Sequence, residues 1–113
     1  MAADSETVIP LIQQYIADVK KAMPIDKVYL YGSYAKWIQR ENSDVDICFF
    51  SQAFESRQSL DILTELFYLK IKYDKDILIE PNAFPVSALY NDNPFVKEIL
   101  RTGREIAWRH VRA

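Results

Sequence analysis

Asp44 and Asp46, separated by one valine, are the residues of this sequence best placed to do chemistry. They open the apolar run Asp44-Val-Asp-Ile-Cys-Phe-Phe50. Separated from them by ten intervening residues, Gly32-Ser33 closes another such run, Lys27-Val-Tyr-Leu-Tyr31. Side chains of an extended chain alternate between faces, so both aspartates leave one face while Val45, Ile47 and Phe49 leave the other. One face of this strand is core and the other carries charge. Two neighbouring carboxylates repel, and burying either is costly, so a divalent cation is their natural partner. Hard oxygen ligands favour Mg²⁺ or Mn²⁺ over zinc. Gly32 gives its turn conformational freedom and close backbone access, and Ser33 offers a hydroxyl and an N–H at an expected helix N-terminus. Such a turn suits a triphosphate tail. Taken singly, a Gly-Ser turn and a polar strand entrance are ordinary features. Both together, each joined to an apolar strand, favour a site.

Gly32-Ser33-Tyr-Ala35 followed by Ser43-Asp44-Val-Asp46 resembles the signature of the polymerase-beta-type nucleotidyltransferase superfamily, in its small stand-alone form, the minimal nucleotidyltransferases. The resemblance runs from the first helix to the helix opened by Asn93-Pro94-Phe95. Members carry a third carboxylate on a later strand, in a context like Asp-Ile-X-Ile-X-Pro, and Asp76-Ile-Leu-Ile-Glu-Pro81 fits it. Asp76 and Glu80 are four apart on the strand expected over Lys75–Ile79, hence on one face, so spacing alone leaves either open as the third ligand. The resemblance selects Asp76. One departure stands out: where the family usually has glycine a few residues after Gly-Ser, this sequence has Trp37, whose indole would narrow the nucleotide pocket or stack on a base.

The resemblance implies two-metal nucleotidyl transfer. Asp44, Asp46 and Asp76 hold two Mg²⁺ ions, Mn²⁺ being the alternative, and Gly32 and Ser33 hold the β- and γ-phosphates of ATP or another nucleoside triphosphate. It also implies a partner, because stand-alone members are often paired with a small helical HEPN-type protein in toxin–antitoxin arrangements and attach AMP to it. A binding module that neutralises or scaffolds such a partner, its catalysis vestigial, is the second reading. Trp37 favours that reading and the three aspartates speak against it. A polynucleotide-extending enzyme is the third.

Composition narrows these readings. At 113 residues, half of them apolar or aromatic, the chain is expected to be one domain over 1–113, with little room for a separate acceptor-binding module. A formal charge of −2 and a pI near 5.4 give no broad basic surface, so nucleic-acid tracking is disfavoured. A single cysteine, Cys48, is read as a small buried hydrophobe; it permits no intrachain disulfide and fits a reducing cytoplasm. No apolar stretch approaches a membrane span or a leader.

The elements that must position these residues follow from periodicity. Val8, Leu11, Ile12, Tyr15, Ile16, Val19 and Met23 recur at helical spacing between Ser5 and Met23, with Pro24 as the stop. Arg57 to Tyr73 reads as a second helix, apolar over more than one side, which makes it either a core helix between two layers or a subunit or partner interface. Asn93 and Pro94 read as N-cap and first residue of a final helix stopped by Gly103, and Arg104 begins a tail that adds an edge strand. Lys36 and Arg40 lie near the expected phosphate position but are read as solvated charge, and His110 as incidental. The order helix, strand, Gly-Ser turn, strand, helix, strand, helix predicts an α/β (α+β) domain: a small mixed sheet with helices mainly on one face and the aspartates on the other.

Overall fold

The computed structural model describes residues 5–32 and 45–106. Its order is α1 (Ser5–Ala22), β1 (Lys27–Tyr31), β2 (Val45–Ser51), α2 (Ser59–Lys70), β3 (Ile79–Pro85), α3 (Pro94–Thr102) and β4 (Arg104–Glu105), with short 3-10 turns after β2, α2 and β3. The four strands stand in the order β3-β2-β1-β4. β1 runs antiparallel to β2 and β4, and β2 runs parallel to β3, so the sheet is mixed.

Alternation along β2 builds the core. Val45, Ile47 and Phe49 join Val28 and Leu30 of β1 under Ile12, Tyr15, Ile16 and Val19 of α1 and Ile62 and Leu66 of α2. The apolar stripe of α1 lands on the sheet at the spacing read from the sequence, and the helix runs through Pro10. Tyr15 ties the layers together: its hydroxyl donates to the Leu66 carbonyl at 2.8 Å, and its ring meets Phe49 and Tyr73 edge-on, both at 5.9 Å.

The opposite face is not left open along its length. Cys48 and Phe50 are fully buried there with Ala88, Val96 and Ile99, so α3 and the turn before it form a second, smaller core on that side. Two of the three helices still pack on one face. The Asn93 side chain accepts from the N–H groups of Phe95 and Val96, at 3.0 and 3.2 Å, capping α3 as expected. Gly103 ends that helix with an ordinary negative φ. Glycine is needed there for room, since a Cβ would lie 2.6 Å from the Ile99 carbonyl oxygen and 3.0 Å from that of Leu30.

The third strand corrects the expectation. It runs Ile79–Pro85 instead of Lys75–Ile79, and Pro81 lies within it. The amide of Val45 donates to the Leu78 carbonyl at 2.7 Å. Even-numbered residues of β3 therefore turn their backbone groups to β2, and odd ones, Pro81 and Pro85 included, turn theirs outward. β3 is an edge strand, where a missing N–H leaves no ladder bond unmade. Lys75 and Asp76 lie in the turn before it.

Asp18 links α1 to the end of α2. It accepts from the Tyr73 hydroxyl at 2.5 Å and from Lys72 at 3.0 Å. Partial burial works against its charge, but those two hydrogen bonds and the charges of Lys72 and Lys21 outweigh it and hold the carboxyl below its usual range. A depressed folded-state value contributes stability above the unfolded value of about 3.9, and that stability is lost as pH falls through the folded value. Asp18→Asn is therefore expected to cost about 1–2 kcal/mol at neutral pH. The difference from the parent chain should shrink as pH falls through the folded value, read from urea unfolding midpoints across a pH series.

Candidate active site

Three strand ends meet at one edge of the sheet. Because β1 is antiparallel to β2 and β3 parallel to it, the end of β1 lies beside the beginnings of β2 and β3. Tyr31 stands opposite Asp46 in the first pairing, and Asp46 opposite Glu80 in the second. Direct neighbours share a face, so Tyr31, Asp46 and Glu80 form one row across three strands, with Asn82 one step further along β3. The row lies on the face away from α1 and α2, and all four side chains are half-buried. Adjacent strands are about 4.8 Å apart, close enough for the Asp46 and Glu80 carboxylates to share one ligand.

Gly32 follows Tyr31 with φ +72°, in the left-handed region that glycine adopts freely. A Cβ there would lie 2.4 Å from the Asp46 Oδ2, so the backbone of the turn rests directly against that carboxylate. Tyr31 reaches over β2 to Asn82, whose Nδ2 donates to the phenol oxygen at 3.0 Å. Burial raises the Tyr31 pKa; the Asn82 hydrogen bond pulls it down, and the nearby charge of Asp46, with smaller contributions from Cys48 and Glu80, pushes it up again. The phenol stays protonated at neutral pH. Burial likewise pushes the Cys48 thiol up, in keeping with its reading as a small hydrophobe.

The structure thus brings together Gly32 and Asp46 of the residues singled out from the sequence. Ser33 and Asp44 lie outside the described residues, as do Lys36, Trp37, Arg40 and His110. Asp76 occupies an exposed turn, its N–H bonded to the Tyr73 carbonyl, and is not on β3. Glu80, which spacing left as open as Asp76, is the carboxylate opposite Asp46. Tyr31 and Asn82 were not singled out from the sequence; their only signal was alternation, which becomes readable once the β3 register is known. Among the described residues no group of three acidic, histidine or cysteine side chains is placed to hold a metal, and the acidic pair is Asp46 with Glu80. An oxygen-only pair against a bare glycine backbone fits a hard divalent cation.

No curated protein matches the chain to a significant degree. Two solved toxin–antitoxin structures share its fold. A mutant of the MntA–HpeT toxin–antitoxin has 18% identity and a TM-score of 0.52, and a toxin–antitoxin with AMP-PNP has 21% identity and 0.53; each match covers 82% of this chain and 70% of the other. At these identities the likeness speaks for the fold alone. The family model described as polymerase beta, nucleotidyltransferase, matches residues 12–110, nearly the whole sequence. The chain belongs to the polymerase-beta nucleotidyltransferase family.

Proposed function

We propose that this chain transfers a nucleoside monophosphate, AMP from ATP in the first instance, to a hydroxyl group on a partner protein. The observation that carries this reading is the Gly32 turn resting on the Asp46 carboxylate with Glu80 in register beside it, in a chain of this family. The solved neighbour with AMP-PNP supports ATP as donor, and both neighbours, being toxin–antitoxin structures, support a protein partner, here a small helical HEPN-type protein. The buried free Cys48 suits the reducing cytoplasm in which ATP is plentiful. No helix among the described residues is long and apolar enough to cross a membrane.

In this reading Gly32 and Ser33 hold the β- and γ-phosphates through backbone N–H groups and a hydroxyl. Asp44 and Asp46 hold the cations. Magnesium, when bound, neutralises the triphosphate and lowers the pKa of the incoming hydroxyl. The acceptor oxygen forms a bond to the α-phosphorus, the bond from that phosphorus to the β-phosphate's bridging oxygen breaks, and pyrophosphate leaves. The acceptor's proton passes to the third carboxylate. Asp76 and Glu80 both compete for that role, and the register favours Glu80, because it faces Asp46 while Asp76 is exposed on a turn.

The partner contact is assigned to α2. Leu60, Tyr68 and Ile71 are 74%, 73% and 60% exposed, unusual for such residues on one short segment. Tyr68 and Ile71 also line, with Leu69, Asp18, Lys21 and Lys72, a cavity of about 460 Å³. The same surface favours the second reading, partner neutralisation without catalysis, and Asp44→Ala separates the two: survival of neutralisation in that variant removes catalysis from the function.

Labelled ATP, Mg²⁺ and the protein encoded beside this chain should yield label on the partner. Asp46→Asn should reduce it about a hundredfold or more. Gly32→Ala should reduce it at least about tenfold, by displacing the Asp46 carboxylate. Glu80→Gln should behave like Asp46→Asn, whereas Asp76→Asn should stay within about threefold of the parent; the opposite order would return the third carboxylate to Asp76. Ile71→Asp and Tyr68→Glu should each weaken partner binding by about tenfold or more in calorimetric titrations, with circular dichroism unchanged.

A further inference from the structure

We infer that the cavity between the ends of α1 and α2 anchors the partner through an amphipathic helix, which buries an apolar side chain in it and sets a carboxylate beside Lys21. The inference rests on the reading of α2 as the partner contact and deepens it by naming what the partner must present.

The cavity is built from both helices. Asp18 and Lys21 come from the last two turns of α1, Tyr68 and Leu69 from the end of α2, and Ile71 and Lys72 from the 3-10 turn that follows. The two helices are tied together beside it. The Tyr73 hydroxyl donates to Asp18 and the Tyr15 hydroxyl to the Leu66 carbonyl, so one helix cannot slide on the other without breaking a hydrogen bond. A volume of about 460 Å³ falls in the range of about 300–1,000 Å³ usual for ligand pockets and admits a large apolar side chain. A preformed cavity also spares part of the ordering cost of binding.

The exposed surface around the cavity decides between a small molecule and a helix. Leu60, Phe67 and Ile71 are seven and four residues apart, so they share one stripe of α2 and its continuing turn. Leu60 and Ile71 are mostly exposed, and Phe67 is 40% exposed. At about 1.5 Å per residue the stripe is about 16 Å long, roughly three turns of helix. Ile71 belongs both to the stripe and to the cavity lining. A small molecule in the cavity would leave the stripe in water, whereas a helix laid along α2 covers both, with apolar side chains at its own i, i+4 and i+7 positions.

Charge then sets the chemistry of that helix. Both helices end at the cavity, and Lys20 and Lys70 stand in their last turns, where cations offset the negative ends of the helix dipoles. Among the lining residues this leaves Lys21 and Lys72 against the one carboxylate of Asp18. Asp18 already accepts from Lys72 at 3.0 Å and from Tyr73, while Lys21 is exposed. The rim therefore carries a surplus of positive charge. It attracts a carboxylate and repels lysine or arginine, which discriminates among apolar helices that the stripe alone would accept.

The test is calorimetric titration of the full chain with the protein encoded beside it, so that catalysis is not the readout. Lys21→Glu is expected to weaken binding about tenfold at low ionic strength, and the loss should shrink in about 0.5 M salt. Lys97→Glu makes the same change of net charge on α3, across the sheet, and should stay within about twofold of the parent. Lys21→Gln, which removes the attraction without adding repulsion, is the second variant, with an expected loss of about threefold. Parent-like binding by both Lys21 variants, or an equal loss in Lys97→Glu, overturns the inference. If Tyr68→Glu and Ile71→Asp still weaken binding in that case, α2 remains the contact and only its acidic occupant falls. If none of these variants weakens binding, or the parent does not bind, the α2 contact falls as well. A chain that dimerises alone in sedimentation, and no longer does so as Ile71→Asp, would give the stripe to a second copy and likewise overturn the inference.

Discussion

Strand β2 sends Val45, Ile47 and Phe49 into one core and Cys48 and Phe50 into another, so it is dry on both faces along most of its length. A charge placed in its middle would be buried without water or partner, at a cost no domain of this size can carry. A charged side chain is therefore confined to the end of the strand, where the second face is only half-buried. That end receives Asp46, half-buried, at the boundary between packed interior and solvent. The topology does the rest, because one antiparallel and one parallel neighbour deliver the end of β1 and the start of β3 to the same place.

Much of this was legible in the sequence because it depends on neighbours along the chain. Alternation assigned the two faces of β2, helical spacing assigned the buried stripe of α1, and Asn93-Pro94 announced α3 through a cap whose hydrogen bonds reach only two and three residues ahead. The third strand was misplaced for an equally local reason. Proline reads as a strand terminator, and only the sheet order reveals that Pro81 sits on an edge with its nitrogen pointing outward. The role of Gly103 is local and tertiary at once, since the space it leaves is against the Ile99 carbonyl of its own helix and the Leu30 carbonyl on β1.

The site divides along the same line. Gly32 and Asp46 were readable as a turn and a strand entrance, each from its own segment. That they touch, with no room between them for one methyl group, is a property of the β1–β2 register. Which of Asp76 and Glu80 stands opposite Asp46 depends on where β3 begins, a boundary that four residues of sequence did not decide. The Tyr31–Asn82 bond joins residues 51 apart on strands that are not even adjacent, and no periodicity encodes such a pair.

Size sets the remaining problem. A domain that spends the interior of its sheet on two cores keeps polar side chains for one strand end, where Asp46 and Glu80 lie beside the Gly32 turn. Under the proposed function, specificity for the acceptor comes from surface that holds a whole partner. The exposed apolar residues of α2 belong to a helix whose inner face, Ile62 and Leu66, packs on the first core, opposite the face that carries the polar row. A partner seated there would have to reach around the edge of the sheet to offer its hydroxyl. Under the proposed function, binding and chemistry use different sides of the domain, so a substitution in one is expected to leave the other intact.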